Sequence, residues 1–299
     1  MFSKHIWPYV IKMLPRYCLI LPNCYLSVTK MNRLSILLLV LVSGLAAAQP
    51  GNLFTQLASV DGGEDIAQVQ HQFGKLVDHL REKQSQSHSE KAFLHYAFGR
   101  VHRQFLRNYE AQVNFRELFQ RGRYNCLTAT SLYAAVFSEL GIDFRVIETN
   151  HHIVLIAQTS EGDVLLETTD RYRGFVSGAN EIDQRLLHYQ LQGPQESSEK
   201  VQFEFPDALL AEVKPGQLRN LHHYNRAVVC FNKQDWVGCA TALEKASAGY
   251  HSPRLSGLGA LLLTAVAEDA TWSEERRLKF VRQFHAVLLS RQLDVAARF

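Results

Sequence analysis

The sequence predicts an α+β fold in which helices lead into an antiparallel sheet and helices follow it. Three observations predict it. Apolar residues recur at spacings of three and four in the first part of the chain. Short runs rich in Val, Ile and Leu, broken by turn residues, follow Gly141. The helical period then returns from Leu218 to the end. The 299 residues are 46% hydrophobic and 20% charged, the balance of a globular chain with apolar residues enough for a sizeable core. Net charge is +3, with the basic residues dispersed rather than gathered in a stripe, which argues against nucleic acid as a partner.

The first element is a processing signal. MNRLSILLLVLVSGLAAAQP, from Met31, has a basic start at Arg33, an apolar run from Leu34 to Val42 and Ala46-Ala47-Ala48 ahead of Gln49. The run is too short for a comfortable membrane span. Residues 1–30 therefore read as an over-extended start and 31–48 as a signal peptide, and the mature chain as secreted or periplasmic, with no membrane association after cleavage. Cleavage removes Cys18 and Cys24 and leaves Cys126, Cys230 and Cys239, which is no disulfide framework.

Residues 49–191 read as one domain. Ile66, Val69, Phe73, Leu76, Val77 and Leu80 predict an amphipathic helix between Asp61 and Glu82, ended by the polar QSQSHSE. In EKAFLHYAFGRVHRQFLRNYEAQVNFRELFQRG, the recurrence of Phe93, Tyr96, Ala97, Phe105 and Tyr109 predicts a second helical stretch, with Gly122 as its stop. FRVIETN, HHIVLIAQ and DVLLETTD read as strands, and SEGD as the hairpin turn between the last two. Apolar residues on both faces of HHIVLIA predict a central strand covered on both sides.

Residues 192–217, with QGPQESSEK and the Pro-Gly of LAEVKPGQ, read as a linker. From Leu218 to Phe299 the chain is helical. LHHYNRAVVCFNKQDWVGCATALEKASAGYHSP has small residues at Ala227, Cys239 and Ala246 and a turn around Gln234-Asp235. It resembles a tetratricopeptide-type helix pair, with a generic helical bundle as the alternative.

The residues that carry chemistry lie in RGRYNCLTATSLYAAVFSELGIDFRVIETNHHIVLI. Asn125 is a favourable N-cap, so Cys126 falls in the first turn of a helix, where free amides and the positive end of the dipole favour a thiolate. A thiolate enzyme needs an imidazole to move the proton and a carboxylate or amide to hold that imidazole. HHIVLI supplies the first, at His151 or His152, and LLETTD supplies the second. If the two runs pair as a hairpin, a His at the head of one strand lies beside an acid at the tail of the next. Glu167 is favoured as that acid because LLE continues an apolar strand. Asp170 is the competitor, three residues further on and thus displaced by roughly 10 Å along an extended chain.

The order of Cys at a helix start, His on the following strand and acid on the next resembles the transglutaminase-like superfamily, a circularly rearranged relative of papain-like proteases. The resemblance covers roughly Gly122 to Phe175 and rests on YNCLTATSLYAAVFSELGIDFRVIE, HHIVLI and LLETTD. This chain has Val154 where the family commonly has an aromatic, and Glu167-Thr168-Thr169-Asp170 where it often has Asp followed by Pro-Thr. The resemblance implies a transglutaminase-like (papain-like) core with Cys126 as nucleophile and His152 as base, because the family's His precedes an apolar alternation that IVLI fits, with His151 as fallback, acting on an amide of a peptide, protein or cell-wall component without a metal or cofactor. The oxyanion donor is open among the Cys126 amide, Asn125, Tyr124 and Gln104. The other class is a non-catalytic scaffold whose C-terminal helices bind a protein partner. His95, His102, His222 and His223 read as core or surface imidazoles.

Overall fold

The Asn52 side chain accepts a hydrogen bond from the Thr55 amide and caps α1, Leu53–Ala58. The computed structural model describes residues 52–60, 62, 66–149, 152–191 and 210–296, all of them in one unit. The segments read as an extended start and signal peptide, and His151, lie outside the described residues.

The first amphipathic pattern forms α2, Ile66–Ser85, burying Val69, Phe73, Leu76, Val77 and Leu80. Its successor α3, Glu90–Phe105, is capped by Ser89, whose hydroxyl accepts from the Ala92 amide. Here the sequence expectation needs correction, because Tyr109 is not helical. The backbone leaves the helix at Leu106, and the amides of Arg107 and Asn108 donate to the Gly122 carbonyl at 2.9 and 3.0 Å. Residues Asn108–Tyr109 (β1) thereby pair in parallel with Arg123–Tyr124 (β2), with one short helix, α4 (Glu117–Gln120), between them. Distant backbone pairing overrides the local helical period.

α5, Cys126–Leu140, ends at Gly141, whose φ of 68° is the left-handed turn that lets the chain reverse into the sheet. The strands β3 (Phe144–Thr149), β4 (Ile153–Ala157), β5 (Val164–Leu166) and β6 (Phe175–Ser177) follow, then α6 (Ala179–Leu191). β7, Leu210–Val213, adds to the free edge of β3, so part of the stretch read as a linker is a strand. Residues 192–209 of that stretch are not described. The order β6-β5-β4-β3-β7 is antiparallel throughout and puts β4 in the middle.

The alternation along β4 serves two cores. Ile153, Leu155 and Ala157 face α5 and the main core, whereas Val154 and Ile156 face Ile182 and Tyr189 of α6. All five β4 residues are buried.

Past a 3₁₀ turn at Pro215–Gln217 come α7 (Leu218–Asn232), α8 (Trp236–Ser247), α9 (Pro253–Glu268) and α10 (Glu274–Ala296). Ala227, Cys239 and Ala246 are fully buried, and α7 packs closely on α8. α7 is also tied to α5, where the Ser131 hydroxyl and His222 Nε2 lie 2.9 Å apart in the core. No helix among the described residues is long and apolar enough to cross a membrane.

Candidate active site

Cys126 is placed by its neighbour. The Asn125 Oδ1 accepts from the Thr128 amide at 2.8 Å, the Thr128 hydroxyl accepts from the Asn125 amide at 2.9 Å, and Asn125 Nδ2 donates to the Ala111 carbonyl at 3.0 Å. This reciprocal cap makes Cys126 the first residue of α5, partly exposed, beside amides that helix geometry leaves without intrahelical acceptors. It also holds the Asn125 side chain by both its oxygen and its nitrogen.

His152 leads into β4 and is held by its backbone. Its amide donates to the Thr149 hydroxyl at 3.1 Å, and its carbonyl accepts from the Thr149 amide at 2.8 Å. Its ring Nε2 meets Oε2 of Glu167, the residue just past β5. The Cys126 thiol acts on the same ring and, like Glu167, favours its charged form.

Glu167 is the most heavily partnered group of the site. Its Oε1 accepts from the Thr169 amide and hydroxyl at 3.0 and 2.6 Å, and its Oε2 from the Tyr189 hydroxyl at 2.7 Å. The loop that carries it closes on itself, the Glu167 amide donating to Gly174 O and the Gly174 amide to Asp170 O. A Cβ at position 174 would collide with the carbonyl oxygens of Glu167 and Asp170, so only glycine closes this loop.

Asp170 is turned to other work. Its Oδ1 accepts from the amides of Tyr172 and Arg173 at 3.0 and 2.9 Å, an arrangement that shapes the loop. The structure thus brings together Cys126, His152 and Glu167 and leaves Asp170 out of the hydrogen-bonded chain.

Electrostatics follow from this geometry. Burial disfavours the charged His152 ring, but the hydrogen bonds to Cys126 and Glu167 and their charges outweigh it and hold the pKa up at about 10. Burial likewise works against the Glu167 carboxylate. The bond and charge of His152, with Thr169 and Tyr189, still bring it down to about 2. The pair is therefore imidazolium and carboxylate at neutral pH, with side-chain exposures of 19% and 6%.

Four residues that the sequence reading missed complete the site. Thr130 stands one helical turn after Cys126, and its hydroxyl donates to the Ile153 carbonyl at 3.2 Å and lies 3.0 Å from the Thr168 hydroxyl. It pins the Cys helix to the residues following His152 and Glu167. Thr169 and Tyr189 orient the acid, and Tyr109, 57% exposed, sets its ring edge-on to Tyr124 at 5.7 Å beside the thiol. Thr130 and Thr169 were legible from their spacing to Cys126 and Glu167. Tyr189 gives no local signal, since it is brought from α6 by the packing of that helix on the sheet.

The remaining predicted positions make other contacts. Gln104, one residue before the end of α3, has its Oε1 buried and without a hydrogen-bond partner among the described residues. His95 packs edge-on against Phe175. His102 and His222 are core residues whose burial lowers their pKa to about 4 and about 3, and burial likewise brings His223 to about 4. Two clefts, of about 550 Å³ under α6 and about 440 Å³ beside α7, are not lined by Cys126, His152 or Glu167.

Compared with protein-family models, curated proteins and solved structures, the chain finds no match.

Proposed function

We propose that this chain is a cysteine-dependent acyl-transfer enzyme on a transglutaminase-like core, with Cys126 as nucleophile, His152 as acid and base, and Glu167 as the acid that orients His152. The observation that supports it is His152 joined to Glu167 through Nε2, with the Cys126 thiol acting on the same ring to favour its charged form. Stability alone does not call for it, because a buried imidazole and carboxylate cost desolvation that apolar side chains would avoid.

The Cys126 sulfur attacks the carbonyl carbon of an amide, and the developing oxyanion is met by the Cys126 amide at the head of α5. Protonated His152 gives its proton to the departing amine as the C–N bond breaks, leaving a thioester. Neutral His152 then takes a proton from water or an acceptor amine as that group attacks, and the C–S bond breaks to return the thiolate and imidazolium. Glu167 keeps the ring in one orientation and balances its charge throughout. The favoured substrates are peptides, proteins or cell-wall amides, since the partly exposed thiol lies outside both clefts. The reading includes export after removal of residues up to Ala48, checked by the N-terminal sequence of exported protein.

The deciding experiment is labelling of Cys126 by iodoacetamide at neutral pH in wild type and in His152→Ala. Faster labelling in wild type is the expected result. Equal rates in two folded proteins would sink the reading.

A further inference from the structure

The C-terminal helices reach the end of the central sheet through one guanidinium. Ser252 caps α9 and Pro253 occupies its first position, so Arg254 falls in the first turn with its start fixed by two neighbours. Its Nη1 donates to Glu148 Oε1 at 2.7 Å and its Nη2 to the Thr149 carbonyl at 2.6 Å. Glu148 and Thr149 are the last residues of β3. Thr149 in turn carries His152: amide to carbonyl at 2.8 Å, hydroxyl to carbonyl at 3.2 Å, and the His152 amide to the same hydroxyl at 3.1 Å. Guanidinium, strand end and the backbone of His152 form one connected path.

The character of the pair separates it from ordinary surface charge. Glu148 and Arg254 side chains are 4% and 12% exposed, whereas Arg145 and Asp163 at the far end of β3 are each about 40% exposed. Tyr250, just ahead of α9, places its hydroxyl 2.9 and 2.7 Å from the two Glu148 oxygens. Burial pushes the Glu148 carboxyl upward, and Arg254 and Tyr250 draw it back. Apolar side chains would fasten a helix to a sheet more simply. What a fork adds is direction, because two parallel N–H groups fix two atoms of neighbouring residues at once.

We propose that Arg254 is a positioning residue of the site, fixing the end of β3 and, through Thr149, the ring of His152, so that the C-terminal helices are a working part of the catalytic arrangement. The inference rests on the reading of His152 as the base. Glu148, itself held by the Tyr250 hydroxyl, holds Arg254 in turn.

Arg254→Lys tests it in the full-length chain, since lysine keeps a charge against Glu148 but not the fork that spans Glu148 and the Thr149 carbonyl. Arg277→Lys is the control, removing a bond to the Ala267 carbonyl within the same helices. Titration of the His152 ring by NMR is read beside the rate of Cys126 alkylation. Expected for folded Arg254→Lys are a His152 midpoint below that of wild type and alkylation slower by about tenfold or more, with Arg277→Lys unchanged. A wild-type midpoint and rate in Arg254→Lys overturns the proposal, and so does an equal loss in Arg277→Lys. If the lysine variant does not fold, Glu148→Met with Arg254→Met replaces the pair by apolar groups and is judged on the same two readouts. Should wild-type Cys126 react no faster than in His152→Ala, the enzymatic reading fails, while the NMR midpoint still decides whether Arg254 positions the ring.

Discussion

His152 and Glu167 meet at the same end of two neighbouring antiparallel strands, one just before β4 and the other just after β5, and are joined through Nε2 and Oε2. The register makes this encounter unavoidable. Leu155 pairs with Leu166, so stepping back along β4 and onward past β5 brings the two side chains to one edge. A slip of one residue would turn one of them to the opposite face of the sheet.

Glu167 and Asp170 are predicted to differ sharply when neutralised. Glu167→Gln removes the charge that faces the imidazolium, and Cys126 alkylation and turnover are expected to fall by on the order of tenfold or more. Asp170→Asn keeps an oxygen for the Tyr172 and Arg173 amides and is expected to stay within about twofold of wild type. Loss confined to the Asp170 variant would reverse the assignment.

The pair also sets a pH window for stability. His152 has its pKa raised from 6.5 to about 10, so its contribution is complete below 6.5 and is lost as pH rises through about 10. Glu167 has its pKa lowered from 4.5 to about 2, so its contribution is complete above 4.5 and is lost as pH falls through about 2. The two overlap between 4.5 and 6.5. The gap in unfolding free energy between wild type and a His152→Ala, Glu167→Gln double variant should be widest there and shrink on either side. A gap independent of pH would contradict the assignment.

Thiol labelling is predicted to be selective. Burial, then the charges of Cys230 and Asp235, pushes Cys239 up to about 12, and burial with Asp235 raises Cys230. Both are free thiols, so neither is hidden by a disulfide. Mass mapping after brief alkylation at neutral pH should find Cys126 modified first. Prior modification of Cys230 or Cys239 would refute this.

The order of helices and strands was legible because local signals agreed with the final packing. Asn125 reads as a cap and is one. The two-sided apolar pattern of IVLIA reads as a central strand, and β4 lies at the middle of the sheet. Failures came where distant backbone decided the outcome. Tyr109 fits a helical period, yet its segment is drawn into pairing with Arg123 and Tyr124. Leu210–Val213 follows a polar stretch and becomes a strand only because β3 offers an unpaired edge. At the site, Cys126 and Glu167 could be picked out from residue type and spacing, and His152 could be told from His151 only through the family resemblance. Tyr189 and Arg254 could not, since each reaches the site from an element whose docking no local pattern encodes.

The last prediction concerns Thr130, whose hydroxyl joins the three segments of the site. One turn beyond Cys126, it donates to the carbonyl of Ile153 and faces the hydroxyl of Thr168, so a single buried group sets α5 against the starts of both the His and the acid segments. Thr130→Val keeps the shape and removes the hydroxyl. It leaves the buried Thr168 hydroxyl without this partner, at an expected cost of about 1–3 kcal/mol. Thr130→Ser restores the bond and should restore Cys126 alkylation with it. The double variant Thr130→Val, Thr168→Val separates stability from positioning. With both hydroxyls gone, only the Ile153 carbonyl has lost a donor at this contact, and stability should return part of the way towards wild type. Alkylation should stay slow, because nothing then fixes the helix register against His152. Recovery of both stability and reactivity in the double variant would show that packing alone aligns the site and that the Thr130 hydroxyl has no part in it.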